Sequence, residues 1–299
     1  MRAALRIALL GAALLGALPA QAGVLRVCDE PPEPSAAQQD LLLRFSAIVK
    51  DELERSGQPL ALVARSGLDL ARFGQRYSHA GISLKASGNT PWSVRQLYYA
   101  CDEKRPRIYD QGLSGFLFGT DNLREGYISV LLLPAEAAAE LERAALDDAR
   151  AVQFLGPVYS ANAYPYALKY QNCNQWVMEL LAAAWSTPAP VQGREQAQQW
   201  LREAGYAPTR FEVGNPALMW AGSLVPWLHN DDHPADDLAQ QRYQVSMPAS
   251  IEGFVRQRLP QAQRIEFCHA ERRVVVRRGW EAIADGCQPA AEDTVITLN

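Results

Sequence analysis

The chain has 299 residues, 48% hydrophobic and 21% charged, with a formal net charge of −4. That balance belongs to an ordinary globular protein and excludes a disordered one. No basic block interrupts it, so nucleic acid is excluded as the expected partner.

The first 22 residues read as a targeting segment. Met1 to Arg6 is a short basic start, Ile7 to Leu18 an apolar and small-residue run, and Ala20-Gln-Ala22 a small-x-small cleavage pattern. The run is too short to span a membrane, which takes about 20 apolar residues, and no later stretch approaches that length. Cys28 lies too far beyond the cleavage site for a lipoprotein anchor. A secreted, periplasmic protein without a membrane span is expected.

Residues 23–59 then form an N-terminal helical segment. Ser35 caps a helix to about Ser56, with Leu41, Leu42, Phe45, Ile48, Val49 and Leu53 at helical spacing and Gly57 as the stop. Leu60 to Ala64 reads as a strand. Tyr77 to Leu84 alternates, with Ala80, Ile82 and Leu84 on one side and His79, Gly81 and Ser83 on the other. After the turn cluster Ala86 to Pro91, Trp92 to Tyr99 is the return strand and Arg107 to Tyr109 a further short one. Gly126 to Leu133 is a buried strand ended by Pro134, and Ala135 to Gln153 is helical.

A tyrosine-rich loop, Tyr159 to Tyr170, leads into a helix that opens at Cys173. Trp176, Val177, Leu180, Leu181 and Ala184 form its apolar face, and Thr187-Pro-Ala-Pro190 ends it. A helix at Arg194 to Ala204 and a strand at Thr209 to Val213 complete a core assigned to residues 60–215. Residues 216–299 read as a C-terminal extension. It holds a polar, solvated loop from Leu228 to Gln241, a short helix after Pro248, and a hairpin at Arg264 to Val276.

Five cysteines are present: Cys28, Cys101, Cys173, Cys268 and Cys287. In an oxidising compartment an odd number leaves one thiol over. Pairing Cys268 with Cys287 and Cys28 with Cys101 would leave Cys173 free; the alternative is that none pair and all are buried small hydrophobes.

A helix N-terminus presents partial positive charge and free backbone N–H groups, which favour a thiolate. Cys173 occupies such a place, and an imidazole beside it would complete a nucleophile and base. His79 is the candidate base, because it lies on the polar side of an otherwise core-facing strand. Taken alone, each residue has a plainer reading as packing, and Asn172 and Asn174 as a cap and a turn.

Ser-His79-Ala-Gly-Ile followed, 94 positions later, by Tyr170-Gln-Asn-Cys173-Asn-Gln-Trp-Val resembles the circularly permuted papain-like group. That group includes NlpC-type cell-wall peptidases, lecithin:retinol acyltransferase-like enzymes and PPPDE-type peptidases. The His-x-Gly-Ile strand and the Asn-Cys-Asn-x-aromatic helix start are most similar to the PPPDE-type pattern, across roughly residues 60–185. The whole chain also resembles an exported bacterial family with no assigned function. The resemblance implies an α+β fold in which a small antiparallel sheet packs against the cysteine helix. It further implies either that the residue orienting the imidazole lies on the strand after His79, with Gln96 first and Arg95 and Ser93 behind it, or, as in PPPDE-type Cys–His dyads, that no third residue is needed. Oxyanion stabilisation would come from the Cys173 N–H, with Tyr170, Gln171 or Asn174 as a second donor.

The expected function is an exported thiol hydrolase or acyltransferase acting on amide or ester bonds. Its substrate would be a small peptide or acyl group, with peptidoglycan a candidate by compartment. The alternative is a non-catalytic envelope binding protein on the same scaffold. No cofactor is implied. His229-Asn-Asp-Asp-His233 has two histidines four apart with carboxylates between them, but without a third separated ligand no metal site is expected. Tyr159, Tyr164, Tyr166 and Tyr170 either line a cleft beside Cys173 or pack their own loop.

Overall fold

The computed structural model describes residues 34–298; the expected leader at 1–22 and Cys28 lie outside the described residues. Ser35 closes a capping box with Gln38 and opens helix α1 (Ala36–Arg55), whose Leu42, Phe45, Val49 and Leu53 are buried. Four strands follow: β1 (Leu60–Arg65), β2 (His79–Leu84), β3 (Ser93–Ala100) and β4 (Arg105–Gln111). Helix α2 (Leu113–Phe118) precedes β5 (Glu125–Leu132), α3 (Ala135–Leu146) and α4 (Asp148–Gln153). Then come α5 (Cys173–Trp185), α6 (Arg194–Glu203), β6 (Thr209–Glu212), α7 (Pro216–Gly222), α8 (Ala235–Ala239), β7 (Arg242–Val245) and α9 (Pro248–Arg258). Strands β8 (Gln263–Ala270), β9 (Arg273–Arg278) and β10 (Thr294–Thr297) end the chain.

Eight strands form one sheet in the order β10-β9-β8-β5-β1-β2-β3-β4, and every pairing in it is antiparallel. Alternation divides its side chains between two cores. Leu60, Leu62, Ala64, Ala80, Ile82 and Leu84 join α3, α5 and α9 on one face. Ala61, Val63, Val94, Ile128, Val130 and Phe267 join α1 and α2 on the other. Helix α5 is buried along its whole length and packs on β2 and β3. Covering both faces of an antiparallel sheet with helices gives a mixed α/β architecture.

The sheet is therefore larger than the small one expected, and the C-terminal residues are not an appendage. Strand β8 pairs with β5 over its full length, so β8, β9 and β10 extend the main sheet. The described residues cluster as one compact unit. The hairpin was legible, but its partner strand, more than 130 positions upstream, was not. The helix expected across Ala135 to Gln153 breaks at Asp147, which adopts an extended conformation and caps the next turn through Arg150 N–H. The loop from Leu228 to Gln241 is not simply solvated. It folds onto the tyrosine loop through Tyr164 N–H to Asp232 Oδ2 (2.9 Å) and His233 Nε2 to Asn162 O (2.7 Å), and Trp227 O just before it accepts from Ala161 N–H (2.8 Å).

Cys268 and Cys287 form a disulfide across a sequence separation of 19. Closing a loop of that size stabilises by about 3 kcal/mol on the chain-entropy model. Cys101 is also disulfide-bonded; its expected partner, Cys28, is outside the described residues. Among the described residues no helix is long and apolar enough to cross a membrane, and none form a group of three or more His, Cys, Asp or Glu placed to hold a metal ion.

His269 on β8 is buried against the Phe45 ring (4.8 Å between centroids). It faces Gly126 on β5, where an added Cβ would come within 2.7 Å of the imidazole Nε2. Burial pulls its pKa down to about 4. The unfolded chain, with a histidine near 6.5, then binds the proton more readily, so stability falls as pH drops through the interval from 6.5 to 4. Denaturant titrations should show a loss of roughly 2 kcal/mol from this side chain between pH 7 and 4.5. His269→Gln should remove that part of the slope; an unchanged slope contradicts the assignment.

Candidate active site

Helix α5 starts where the tyrosine loop ends. Asn172 is its N-cap: its side-chain oxygen accepts from Gln175 N–H (2.7 Å) and its amide donates to Ala161 O and Ser246 O (3.2 Å each). Trp176 N–H closes the first turn on Asn172 O. The N–H groups of Cys173 and Asn174 have no partner inside the helix, and both face the Cys173 sulfur, as does Ala80 N–H from β2. Cys173 is 5% exposed and is the free cysteine among the described residues.

His79 is the first residue of β2. Asn174 docks the helix start onto the backbone that flanks it, accepting from Ala80 N–H (2.9 Å) and donating to Ser78 O (3.2 Å). By alternation His79 lies on the α1 and α2 side of the sheet while α5 covers the other. The thiol and the imidazole are thus related around the end of the sheet, not across its face. No hydrogen bond joins Cys173 Sγ to the imidazole among the described residues. Catalytic hydrogen bonds are often looser without substrate and tighten when it binds.

His79 is 9% exposed, and its Nε2 lies 2.5 Å from Gln96 Oε1. An amide oxygen accepts only, so this contact places the ring proton on Nε2 and leaves the Nδ1 lone pair for another proton. Gln96 is held in turn by donating to Gln111 Oε1 (2.7 Å) on β4. The two other candidates on β3 are committed elsewhere. Arg95 forks onto Asp110 (2.7 and 2.6 Å) and donates to Ala145 O, while Ser93 Oγ accepts from Thr90 N–H in the preceding turn.

The side chains of two expected oxyanion donors, Gln171 and Asn174, are committed elsewhere. Gln171 spends both amide hydrogens on Phe154 O (2.9 Å) and Glu179 Oε2 (2.6 Å), and its oxygen accepts from Gly156 N–H. Asn174 spends its amide on Ser78 O and Met247 Sδ. Tyr170 stacks flat on His229 (4.3 Å, 8°), and its hydroxyl engages Lys169 and Asp231. The donors left at the helix start are the backbone N–H groups of Cys173 and Asn174. The tyrosines divide likewise. Tyr159 stacks on Tyr99 (5.1 Å) near the sulfur, whereas Tyr164 and Tyr166 pack on each other and on Tyr206 and His233.

Electrostatically the pair is neutral at rest. Burial pushes the Cys173 thiol up to about 11, partly opposed by the Arg65 charge. Burial and then the same guanidinium pull His79 down to about 3, against the bond to Gln96. Arg65 was missed in the sequence because the strand was ended at Ala64. The available signal was a charge at the next inward position after Ala61 and Val63. A cavity of about 290 Å³ lies at the other end of the sheet, between Glu52, Arg55, Leu132, Gln261 and Arg278, and takes no part in this site.

A family model for uncharacterized proteins conserved in bacteria, DUF2145, matches residues 52–255. The chain belongs to this family. The matched span contains both Cys173 and His79, together with Arg65, Gln96 and the tyrosine loop. No curated protein and no solved structure matches the chain.

Proposed function

We propose that this member of the family is an exported thiol hydrolase or acyltransferase with a permuted papain-like core, acting on amide or ester bonds. The observation that carries the reading is the Asn174 clamp. It fastens the start of the cysteine helix to the backbone on both sides of His79, whose Nε2 is already held by Gln96. A disulfide fits an oxidising compartment, and with the leader-like start it supports a periplasmic location. Peptidoglycan stem peptides or envelope acyl groups follow as substrates from compartment alone.

In the proposed cycle the Cys173 S–H bond breaks as its proton passes to His79 Nδ1, and the sulfur bonds to the substrate carbonyl carbon. The carbonyl electron pair moves onto oxygen, facing the Cys173 and Asn174 N–H groups. Collapse expels an amine or alkoxide, which takes the proton from the imidazolium and leaves a thioester. Water, or an acceptor amine or alcohol, then attacks the thioester with His79 taking its proton, and collapse breaks the C–S bond, the Cys173 sulfur leaving with the electron pair and taking that proton back as the acid, amide or ester product departs. Gln96 keeps the ring in the tautomer that the first transfer needs.

One observation favours a non-catalytic binding role: the thiol is enclosed and held in its protonated form. Iodoacetamide at neutral pH separates the two. Alkylation selective for Cys173 and lost in His79→Ala supports the enzyme. Sluggish alkylation that ignores the His79 substitution supports the binder.

A further inference from the structure

We propose that Arg65 is a third member of this site, a fixed cation that stabilises the negative charge developing on Cys173 as its proton leaves. The inference rests on the reading of Cys173 as nucleophile and adds a positioning residue to it.

Arg65 and His79 are directly opposed in the β1–β2 register, and Ser78 N–H, just before His79, bonds Arg65 O (3.2 Å). The Asn174 clamp brings Cys173 to the same short stretch of β2. The guanidinium is enclosed: Arg65 is 7% exposed, with its carbon over the Phe116 ring (5.3 Å to the centroid). Backbone closes on it from two sides, since a Cβ at Gly67 would fall 2.6 Å from Nη1 and one at Gly119 2.5 Å from Nη2. Nη1 donates to Ser66 O (3.2 Å), while Nε is buried without a hydrogen-bond partner among the described residues. Burying a charge this way costs several kcal/mol unless a counter-charge answers it. A cation kept in such surroundings, at the end of the sheet where Asn174 fastens the start of the cysteine helix, is placed for the charge that appears when the thiol proton leaves.

The charged and titratable groups facing the sulfur or this guanidinium are His79 from β2, Tyr98 from β3, Tyr159 from the tyrosine loop and Asp121 from the segment after α2. Arg65 acts on the two partners in opposite senses: it favours the thiolate and disfavours the imidazolium. Its removal should make the thiol a weaker acid and the imidazole a stronger base.

The test is the pH profile of iodoacetamide alkylation of Cys173 in the full chain, where the thiolate displaces iodide and forms an S–C bond. In Arg65→Met the midpoint should rise by about one pH unit or more, slowing alkylation about tenfold at any pH below it. The thermal midpoint should hold or rise, because a neutral side chain of similar size replaces a charge that is costly to bury. Arg65→Lys should lie close to wild type. Gly119→Ala, at a φ of −75° that alanine accepts, keeps the charge but displaces it and should shift the profile the same way. It decides the matter if Arg65→Met does not fold. An unmoved midpoint in the folded variants overturns the role of Arg65 while leaving the nucleophile intact. A wild-type Cys173 that resists selective labelling overturns both.

Discussion

Replacing His79 by alanine is expected to slow turnover of p-nitrophenyl acetate by about 10²-fold, the low end of the contribution of a positioned general base, because burial and Arg65 pull the imidazole down to about 3. The expectation is large because the resting thiol is protonated. With its pKa pushed up to about 11 by burial, the thiolate fraction at neutral pH is too small to sustain attack unaided. Proton removal must therefore accompany bond formation. The imidazole is the proposed base: Nε2 is taken by Gln96 at 2.5 Å, which leaves the Nδ1 lone pair to accept the proton. Steady-state hydrolysis by wild type, His79→Ala and Cys173→Ala checks this. Both variants should fall to the same background, since residues acting as a unit lose nearly everything when either is removed. A His79 variant with more than half the wild-type rate contradicts the assignment.

Arg194→Met is expected to destabilise the fold by about 3–5 kcal/mol, the cost of leaving one member of a buried pair without its partner. Glu179 on α5 is fully buried, with Arg194 Nε at 2.8 Å, Gln171 at 2.6 Å and Gln198 at 2.7 Å. Arg194 also donates to Leu168 O (2.8 Å) and Tyr170 O (2.9 Å), so one side chain fastens the tyrosine loop to α5 and α6. Without it the Glu179 carboxylate loses its cation, and three loop carbonyls, including that of Ala167, lose a donor. Glu179→Gln combined with Arg194→Met should recover part of the loss, because the uncompensated charge is then gone. Thermal unfolding reads both variants, with a fall of roughly 10 °C expected for the single substitution. A shift within about 2 °C would mean that the pair contributes little.

Most strands were legible because alternation and turn residues are local signals. Tyr77 to Leu84 displayed its two sides in sequence, and the structure uses both: Ala80 and Ile82 against α5, His79 toward α2. The Ser35 and Asn172 caps were legible for the same reason. What escaped depended on partners distant in the chain. Strand β10 has four residues and no pattern of its own, and it exists by pairing with β9. Helix α2 is too short to show a period, yet its Phe116 lies under both Arg65 and His79. At the candidate site, Cys173, His79 and Gln96 could be named from position and resemblance. The commitment of Gln171 to Glu179 could not, because a buried polar network is specified by what surrounds it and not by spacing. The polar loop misled in the same way. Its charges suggested solvent, but His233 and Asp232 turn inward onto Asn162 and Tyr164.

Mass spectrometry of the protein quenched during reaction with p-nitrophenyl acetate bears most directly on the chemistry. A single acetyl group should accumulate on the peptide containing Cys173, disappear as the ester is exhausted, and be missing from Cys173→Ala. An acetyl group that never forms there, or that settles on lysines and stays, would mean the sulfur is not a nucleophile.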